Sequence, residues 1–345
     1  MARRILWASL ALAPATIAID LIAHPGKVLL FVLSAASLIP IAWLIGESTE
    51  HAAEHTGAGI GGFLNASFGN APELIIALFA VRDNLPDVVR GSLSGSVVSN
   101  LLLVLGVTQL VGPERELDRR SLLSQLGLVG VAVLLFVVPS VVGYTGAPER
   151  HAAVLVSIPV SVALLVLYLA VTGRNLHRHR RLARNAPSSD AWPLPIALGV
   201  LAAATGATAI VSELLVKSIH GFASAVGASE FFIAAVIVAI VGNAAEHGGA
   251  IVIARAGKMK LASEIAISSS AQVGLLVVPA VMLLSLLFAH DLPLSFRWEE
   301  LVAMAGAVVL AGATIWDGRT KRWEGALLIV AYAVVAAGFL AAGNR

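Results

Sequence analysis

Apolar residues in this chain gather into long runs, without the short period of a soluble helix or strand. The polar interruptions leave eleven candidate spans, at approximately 5–22, 28–46, 60–81, 88–111, 121–142, 151–173, 193–216, 230–254, 261–289, 298–316 and 325–342. Runs of about 18 to 25 residues suit a helix that crosses ~30 Å of hydrocarbon. The pattern therefore predicts an all-α polytopic membrane protein with about eleven transmembrane helices. The first run follows Arg3 and Arg4 in the manner of a signal peptide. It continues past Ala13-Pro14-Ala15 without a polar cleavage region, so a retained first helix is expected.

Composition agrees with that picture. Of 345 residues 58% are hydrophobic and only 13% charged, whereas a soluble domain keeps roughly a quarter charged. The absence of cysteine excludes disulfides and thiolate metal sites. A net charge of +2 does not signal nucleic acid here, because the basic residues lie between spans. With the N-terminus in the cytoplasm, the cytoplasmic segments hold Arg3, Arg4, Arg115, Arg119, Arg120, Arg174, Arg178, Arg180, Arg181, Arg184, Arg255, Lys258, Lys260, Arg319, Lys321 and Arg322. That is 16 of the 23 basic residues. Lys27, Arg82, Arg90, Arg150, Lys217, Arg297 and Arg345 fall on the other face. The bias predicts an N-in, C-out protein and hence an odd number of spans. The longest polar stretch, Arg174–Trp192, contains Pro187, Ser188 and Ser189 and divides the chain near its middle. It reads as a solvated basic linker, with headgroup contact as the sharper alternative.

The two sides of that linker are related. Gly69-Asn70-Ala71-Pro72-Glu73 superposes on Gly242-Asn243-Ala244-Ala245-Glu246 at an offset of 173 positions. At the same offset, without gaps, Ala77 meets Ala250, Arg82 meets Arg255, Ser96 meets Ser269, and Leu102-Leu103-Val104 meets Leu275-Leu276-Val277. The expected organisation is an N-terminal helix over 1–27, a five-helix repeat over 28–173, the linker over 174–192 and a second five-helix repeat over 193–345. An odd number of spans per repeat makes the second copy enter from the opposite side, which is the inverted architecture of alternating-access transporters.

Glu73 and Glu246 lie well inside their spans. A charged carboxylate at the bilayer centre costs at least ~2.5–3.5 kcal/mol. A bound cation neutralises both residues; protonated interhelical hydrogen bonding is the structural alternative. Pro72 lacks an N–H and clashes with the Phe68 carbonyl, so oxygens near Phe68 and Gly69 are released. Gly242, Gly248 and Gly249 loosen the partner helix without a proline. Two carboxylates, Asn70, Asn243 and freed carbonyls form an all-oxygen set that suits Ca²⁺. Two carboxylates hold one divalent ion or two protons, so cation and protons compete for the site. Ser92, Ser94, Ser96, Ser99 and Asn100 add polar groups in the fourth span, as do Ser268, Ser269, Ser270 and Gln272 in the ninth. Small-residue packing accounts for most of the serines, whereas Asn100 and Gln272 are candidates to line a pore.

At these residues the chain resembles the cation/proton exchanger branch of the cation/Ca²⁺ exchanger superfamily. The stretches that carry the resemblance are ESTEHAAEHTGAGIGGFLNASFGNAPELIIALFA, GSLSGSVVSNLLLVLG, SEFFIAAVIVAIVGNAAEH and KMKLASEIAISSSAQVGLLVVP. The Na⁺/Ca²⁺ branch would carry a Gly-Thr-Ser type sequence where this chain has Gly-Asn. The resemblance implies that Glu73 and Glu246 are shared Ca²⁺/H⁺ ligands. It also implies that Asn70, Asn243 and Gln272 line or support the site, with Ser96, Ser269 and Asn100 nearby. Glu50, Glu54, Glu213 and Glu230 belong to the same pattern. They would form an acidic approach path that concentrates cations, although solvated helix ends explain them equally well. His247 points about 100° away from Glu246 on a helix, which favours packing or gating over ligation.

The chain departs from the family pattern at Lys260, where Asp is common, and at Ser268, where Gly is common. The acidic segment that eukaryotic members carry between their halves is replaced by the basic linker. The expected function is antiport of Ca²⁺ out of the cytoplasm against protons, in a prokaryotic plasma membrane. A monovalent Na⁺ or K⁺/H⁺ antiporter would use the same carboxylates, and a passive channel suits broken inverted helices less well. No HExxH, paired-aspartate or Gly-x-Ser-x-Gly pattern lies in a span, so no enzyme is expected. The expected partners are the lipid bilayer and the transported Ca²⁺ and protons. No cofactor is called for, and a homo-oligomer stays open.

Overall fold

The computed structural model describes residues 2–144, 151–179 and 191–343. Arg150, Arg345 and most of the linker predicted over 174–192 lie outside the described residues. The first elements are α1 (Ala2–Ser9), α2 (Leu12–Ala23), α3 (Lys27–Gly69), α4 (Ala71–Arg82), α5 (Pro86–Val98), α6 (Leu105–Val111), α7 (Arg119–Tyr144) and α8 (His151–His179). They are followed by α9 (Leu194–Val226), α10 (Glu230–Phe232), α11 (Ala239–Gly242), α12 (Ala244–Arg255), α13 (Met259–Gln272), α14 (Val278–Ser285), α15 (Trp298–Ile315) and α16 (Arg322–Ala342). Single π-helical stretches, Ser99–Val104, Ile233–Val238 and Val273–Val277, join α5 to α6, α10 to α11 and α13 to α14. Among the described residues there is no named strand.

Nine helices among the described residues are long and apolar enough to cross a membrane. A tenth span is the pair Glu230–Gly242 and Ala244–Arg255, which meet at an angle of 58°. The expected third span, 60–81, is divided between the end of α3 and α4. The polar stretch expected to separate the second and third spans is helical throughout. Its Glu, His and Ala residues keep the backbone wound even where hydropathy falls, because propensity and apolarity are separate signals. Glu213 likewise lies within α9, which runs ten residues past the expected end at 216.

The chain forms two compact units. The first comprises Met1–Phe79, Val166–Gly227 and Val241–Ala245. Here α3 packs along α9, burying Leu38, Ile41 and Ile45 of one and Val211, Leu215 and Ile219 of the other. These residues recur at three- and four-residue intervals, so each set forms one stripe. Phe31 stacks on Phe222 with ring centroids 4.2 Å apart. Hydroxyls on the buried faces are satisfied locally: Ser37, Thr208 and Ser218 each donate to the carbonyl four residues earlier. That local bond is what lets a small polar residue sit at an apolar interface.

The second unit comprises Ala80–Leu165, Ala228–Ile240 and Glu246–Arg345. Its centre is α5, which is buried along all but its first two residues and closely flanked by the π-helical stretch Ile233–Val238. Glycine sets that approach: a Cβ at Gly95 would overlap the Ala235 carbonyl, and one at Gly91 would lie 3.0 Å from the Phe231 ring. At one end of α5 a buried charge cluster ties four segments together. Arg297 bonds Asp87 at 2.8 Å, donates to the Gly343 carbonyl at 2.7 Å and lies 4.1 Å over the Phe231 ring. Glu300, fully buried, accepts from the Arg297 N–H at 2.8 Å and from Ser94 at 2.7 Å. Arg90, only 2% exposed, reaches Asp87 and Ser295. Arg90 and Arg297 count as loop charges in the sequence, but here they are interior cations answered by buried acceptors. Removing one member of such a set strands the others.

Candidate functional site

The two Gly-Asn-Ala-x-Glu motifs fall at two helix breaks. α3 ends at Gly69 and α4 begins at Ala71; α11 ends at Gly242 and α12 begins at Ala244. α4 and α12 span Ala71–Arg82 and Ala244–Arg255, so both boundaries repeat at the 173-residue offset, as do the starts of α5 and α13. Pro72 explains the first break, since it cannot continue the hydrogen-bond ladder back to Phe68. The second has no proline and occurs at the same asparagine, so Gly242-Asn243 is sufficient there. In each case asparagine is the last non-helical residue and glutamate the third helical one. Asparagine and an acidic first turn are both frequent at helix starts, so Asn-Ala-x-Glu is itself a helix-start signal, although neither asparagine Oδ1 makes a capping bond among the described residues. That reading of the motif was available in the sequence alone.

A broken helix presents two opposite ends at one depth. The first turn of the new helix favours an ionised carboxylate, while the last turn of the old one offers carbonyls with no N–H partner. Carboxylate and carbonyl oxygens thus gather where a cation can use both.

In the first unit, Asn70 is 2% exposed, Glu73 6% and Asn243 2%. The Glu73 carboxyl group lies against Gly242: a Cβ there would sit 3.4 Å from its carboxyl carbon and from Oε1. The carboxyl group of the first motif therefore lies within van der Waals reach of the second.

In the second unit, Glu246 hydrogen-bonds Ser269, and its Oε2 is buried without a hydrogen-bond partner among the described residues. Asn100 donates from Nδ2 to Ser269 Oγ at 3.1 Å, and its Oδ1 accepts from His247 Nε2 at 2.9 Å. Ser269 accepts from Asn100, so its own proton is left for Glu246. Glu246 and His247 are neighbours in the chain, so the four side chains close a ring through α5–α6, α12 and α13. His247 is thus a hydrogen-bonded positioning group, in line with its direction on the helix. Asn100 lies in the π-helical stretch Ser99–Val104, and Gln272 immediately precedes Val273–Val277. Such stretches widen a helix and recur at functional sites. Ser96 is fully buried on α5, and Ser99 donates to its carbonyl.

The acidic approach residues fall on three helices. Glu50 is exposed and Glu54 half-buried on α3, while Glu213 pairs with Lys217 at 2.9 Å. Glu230 is the first residue of α10. On α3 the neighbouring histidines hold Trp192, the last residue of the linker: its ring stacks on His51 at 4.4 Å, and its carbonyl lies 2.7 Å from His55 Nε2.

The family model described as sodium/calcium exchanger protein matches residues 26–176 and 196–341. The Ca²⁺/H⁺ antiporter ChaA of Bacillus subtilis (strain 168) is 39% identical over 330 residues, covering 92% of this chain and 93% of that protein. A Ca²⁺/H⁺ antiporter of Aphanothece halophytica is 33% identical over 343 residues, covering 92% and 91%. The solved structure of native YfkE superposes with a TM-score of 0.84 at 36% identity, covering 98% of this chain and 99% of that one.

The ring around Asn100 makes a direct prediction. Asn100→Leu strands the His247 nitrogen and disturbs Ser269, each buried group left unpaired costing about 1–3 kcal/mol. Thermal unfolding of the purified variant should show a clearly lowered midpoint, with a smaller loss in Asn100→Asp, which keeps an acceptor for His247. A midpoint unchanged in Asn100→Leu would contradict the hydrogen-bonded ring.

Proposed function

The chain belongs to the sodium/calcium exchanger protein family, and within it we propose that it is a Ca²⁺/H⁺ antiporter acting by alternating access. The observation that carries the reading is the packing of the Glu73 carboxyl group against Gly242, four residues ahead of Glu246. The first carboxylate thereby lies beside the motif that carries the second. Relatives at 39% and 33% identity are named as Ca²⁺/H⁺ antiporters, which supports the choice of ion pair.

The proposed mechanism needs no covalent chemistry. With both carboxylates ionised, mutual repulsion and poor solvation make the empty site unfavourable. One Ca²⁺ relieves it by sharing the two carboxylates, with Asn70, Asn243 and carbonyls at the helix breaks completing an oxygen shell. Protons relieve it equally, one on each carboxyl group. Each relieved form is close to neutral and able to be re-exposed on the other side; the unloaded form is not. Exchange follows from that restriction, and an inward proton gradient expels Ca²⁺. Gln272, Ser96, Ser269 and Asn100 orient the carboxylates or line the path, and Glu50, Glu54, Glu213 and Glu230 attract cations to it. In this reading the two five-span halves are inverted, with the N-terminus in the cytoplasm of a prokaryotic cell.

Two measurements test the proposal. In everted vesicles holding a proton gradient and a pH dye, added Ca²⁺ should collapse the gradient, and Glu73→Gln or Glu246→Gln should abolish the response. A normal response in either variant sinks the site assignment, and a response to Na⁺ or K⁺ alone overturns the choice of ion. For orientation, a cysteine introduced at Ser188 should react with an impermeant maleimide only after intact cells are permeabilised. Labelling without permeabilisation reverses the topology.

A further inference from the structure

A cavity of about 970 Å³ lies in the second unit, lined by connections between its helices. Three connections form its walls. Glu114, Arg115 and Glu116 come from the turn between α6 and α7, Gly257–Leu261 from the turn into α13, and Arg319–Lys321 with Trp323 from the turn into α16. The walls are tied together. Arg115 N–H donates to Thr320 Oγ1 at 2.9 Å, Thr320 N–H returns to the Arg115 carbonyl at 3.0 Å, and Leu117 N–H reaches Gly318 at 2.8 Å. Glu116 and Arg319 form an antiparallel bridge, and Thr320 is 1% exposed. The cavity is therefore organised before anything enters it, which lowers the ordering cost of binding.

Its lining carries five cations, Arg115, Lys258, Lys260, Arg319 and Lys321, against two carboxylates, Glu114 and Glu116. Lys321 is already committed to Asp317 and Glu324. Among the described residues, Arg115, Lys258, Lys260 and Arg319 form no ion pair, and all four are exposed. That excess of cations around one preformed hollow calls for an anion.

The surroundings indicate what the anion is attached to. Trp323 is 63% exposed and Leu261 45%, and both line the same cavity. Trp316 nearby is also 63% exposed, with the Arg119 guanidinium 4.6 Å above its ring. Exposed tryptophans beside cations at the ends of spans mark the depth of lipid headgroups. A soluble anion would gain nothing from Leu261 and Trp323, whereas an acyl chain can lie along both. We propose that this cavity binds the phosphate of an anionic phospholipid, with Lys258, Lys260, Arg115 and Arg319 around the headgroup. Basic pockets between transmembrane helices suit this chemistry.

The test uses the full-length protein, delipidated in detergent and titrated with phosphatidylglycerol, phosphatidylcholine or inorganic phosphate, with bound lipid counted by native mass spectrometry. Phosphatidylglycerol should bind in preference to phosphatidylcholine. The double substitution Lys258→Gln, Lys260→Gln should weaken phosphatidylglycerol about thirty-fold, each cation at an anionic surface being worth roughly five-fold. It should leave phosphatidylcholine unchanged. Lys27→Gln, an exposed cation far along the chain from the cavity, should change neither. Equal binding of the two lipids, or full phosphatidylglycerol binding by the double variant, overturns the site. Displacement of the lipid by inorganic phosphate assigns the cavity to a soluble anion and overturns the lipid.

Discussion

A carboxylate inside hydrocarbon has to be answered, and in this chain it is answered by interrupting the helix that carries it. At Asn70 and again at Asn243 the helix stops, turns at one residue and starts again, with glutamate in the first turn of the new segment. Each glutamate lies in the first turn of the new segment, near its positive end, while the end of the old segment contributes carbonyls. An unbroken helix would have neither feature and would leave Glu73 and Glu246 as isolated buried charges. The close fit of Glu73 on Gly242, the bend of 58° and the hydrogen-bonded ring on Glu246 all rest on those two interruptions.

Much of this is legible in the sequence because membrane solvation speaks loudly. Long apolar runs give the spans, and a glutamate within a run has to mean something. The repeat offset predicts that what happens at Asn70 recurs at Asn243, and element boundaries keep that register through α5 and α13. Proline announces the first break; the second is visible only through the repeat or by reading Asn-Ala-x-Glu as a helix start. Hydropathy misses the continuity of α3 across Glu47–Thr56, because good helix formers hold a helix whether or not they are apolar. It also misses π-helical stretches, which depend on how helices pack and leave no composition signal. Arg297 looks like a loop charge because its partner Asp87 lies 210 positions away. Likewise nothing local announces that Asn100 joins His247 across 147 positions.

Polar chemistry in the second unit is thus sorted into three places. Asp87, Arg90, Arg297 and Glu300 answer one another and serve packing. Asn100, Ser269 and His247 are tied around Glu246 and hold one carboxylate in position. Arg115, Lys258, Lys260 and Arg319 form no ion pair among the described residues, outnumber the carboxylates around them and have exposed tryptophans beside them. Lys260, where the family pattern has Asp, falls in this third set, so the departure noted in the sequence alters a surface cavity and leaves the carboxylate ring intact.

Competition between Ca²⁺ and protons for Glu73 and Glu246 is the central claim, and calorimetry measures it without vesicles. Purified protein is titrated with Ca²⁺ in buffers of different ionisation enthalpy, so that the buffer-dependent heat counts protons exchanged on binding. Expected is proton release on Ca²⁺ binding, increasing as the pH falls, with both signals lost in the Glu73→Gln, Glu246→Gln double variant. Ca²⁺ binding without proton release at any pH, or undiminished in the double variant, would contradict it.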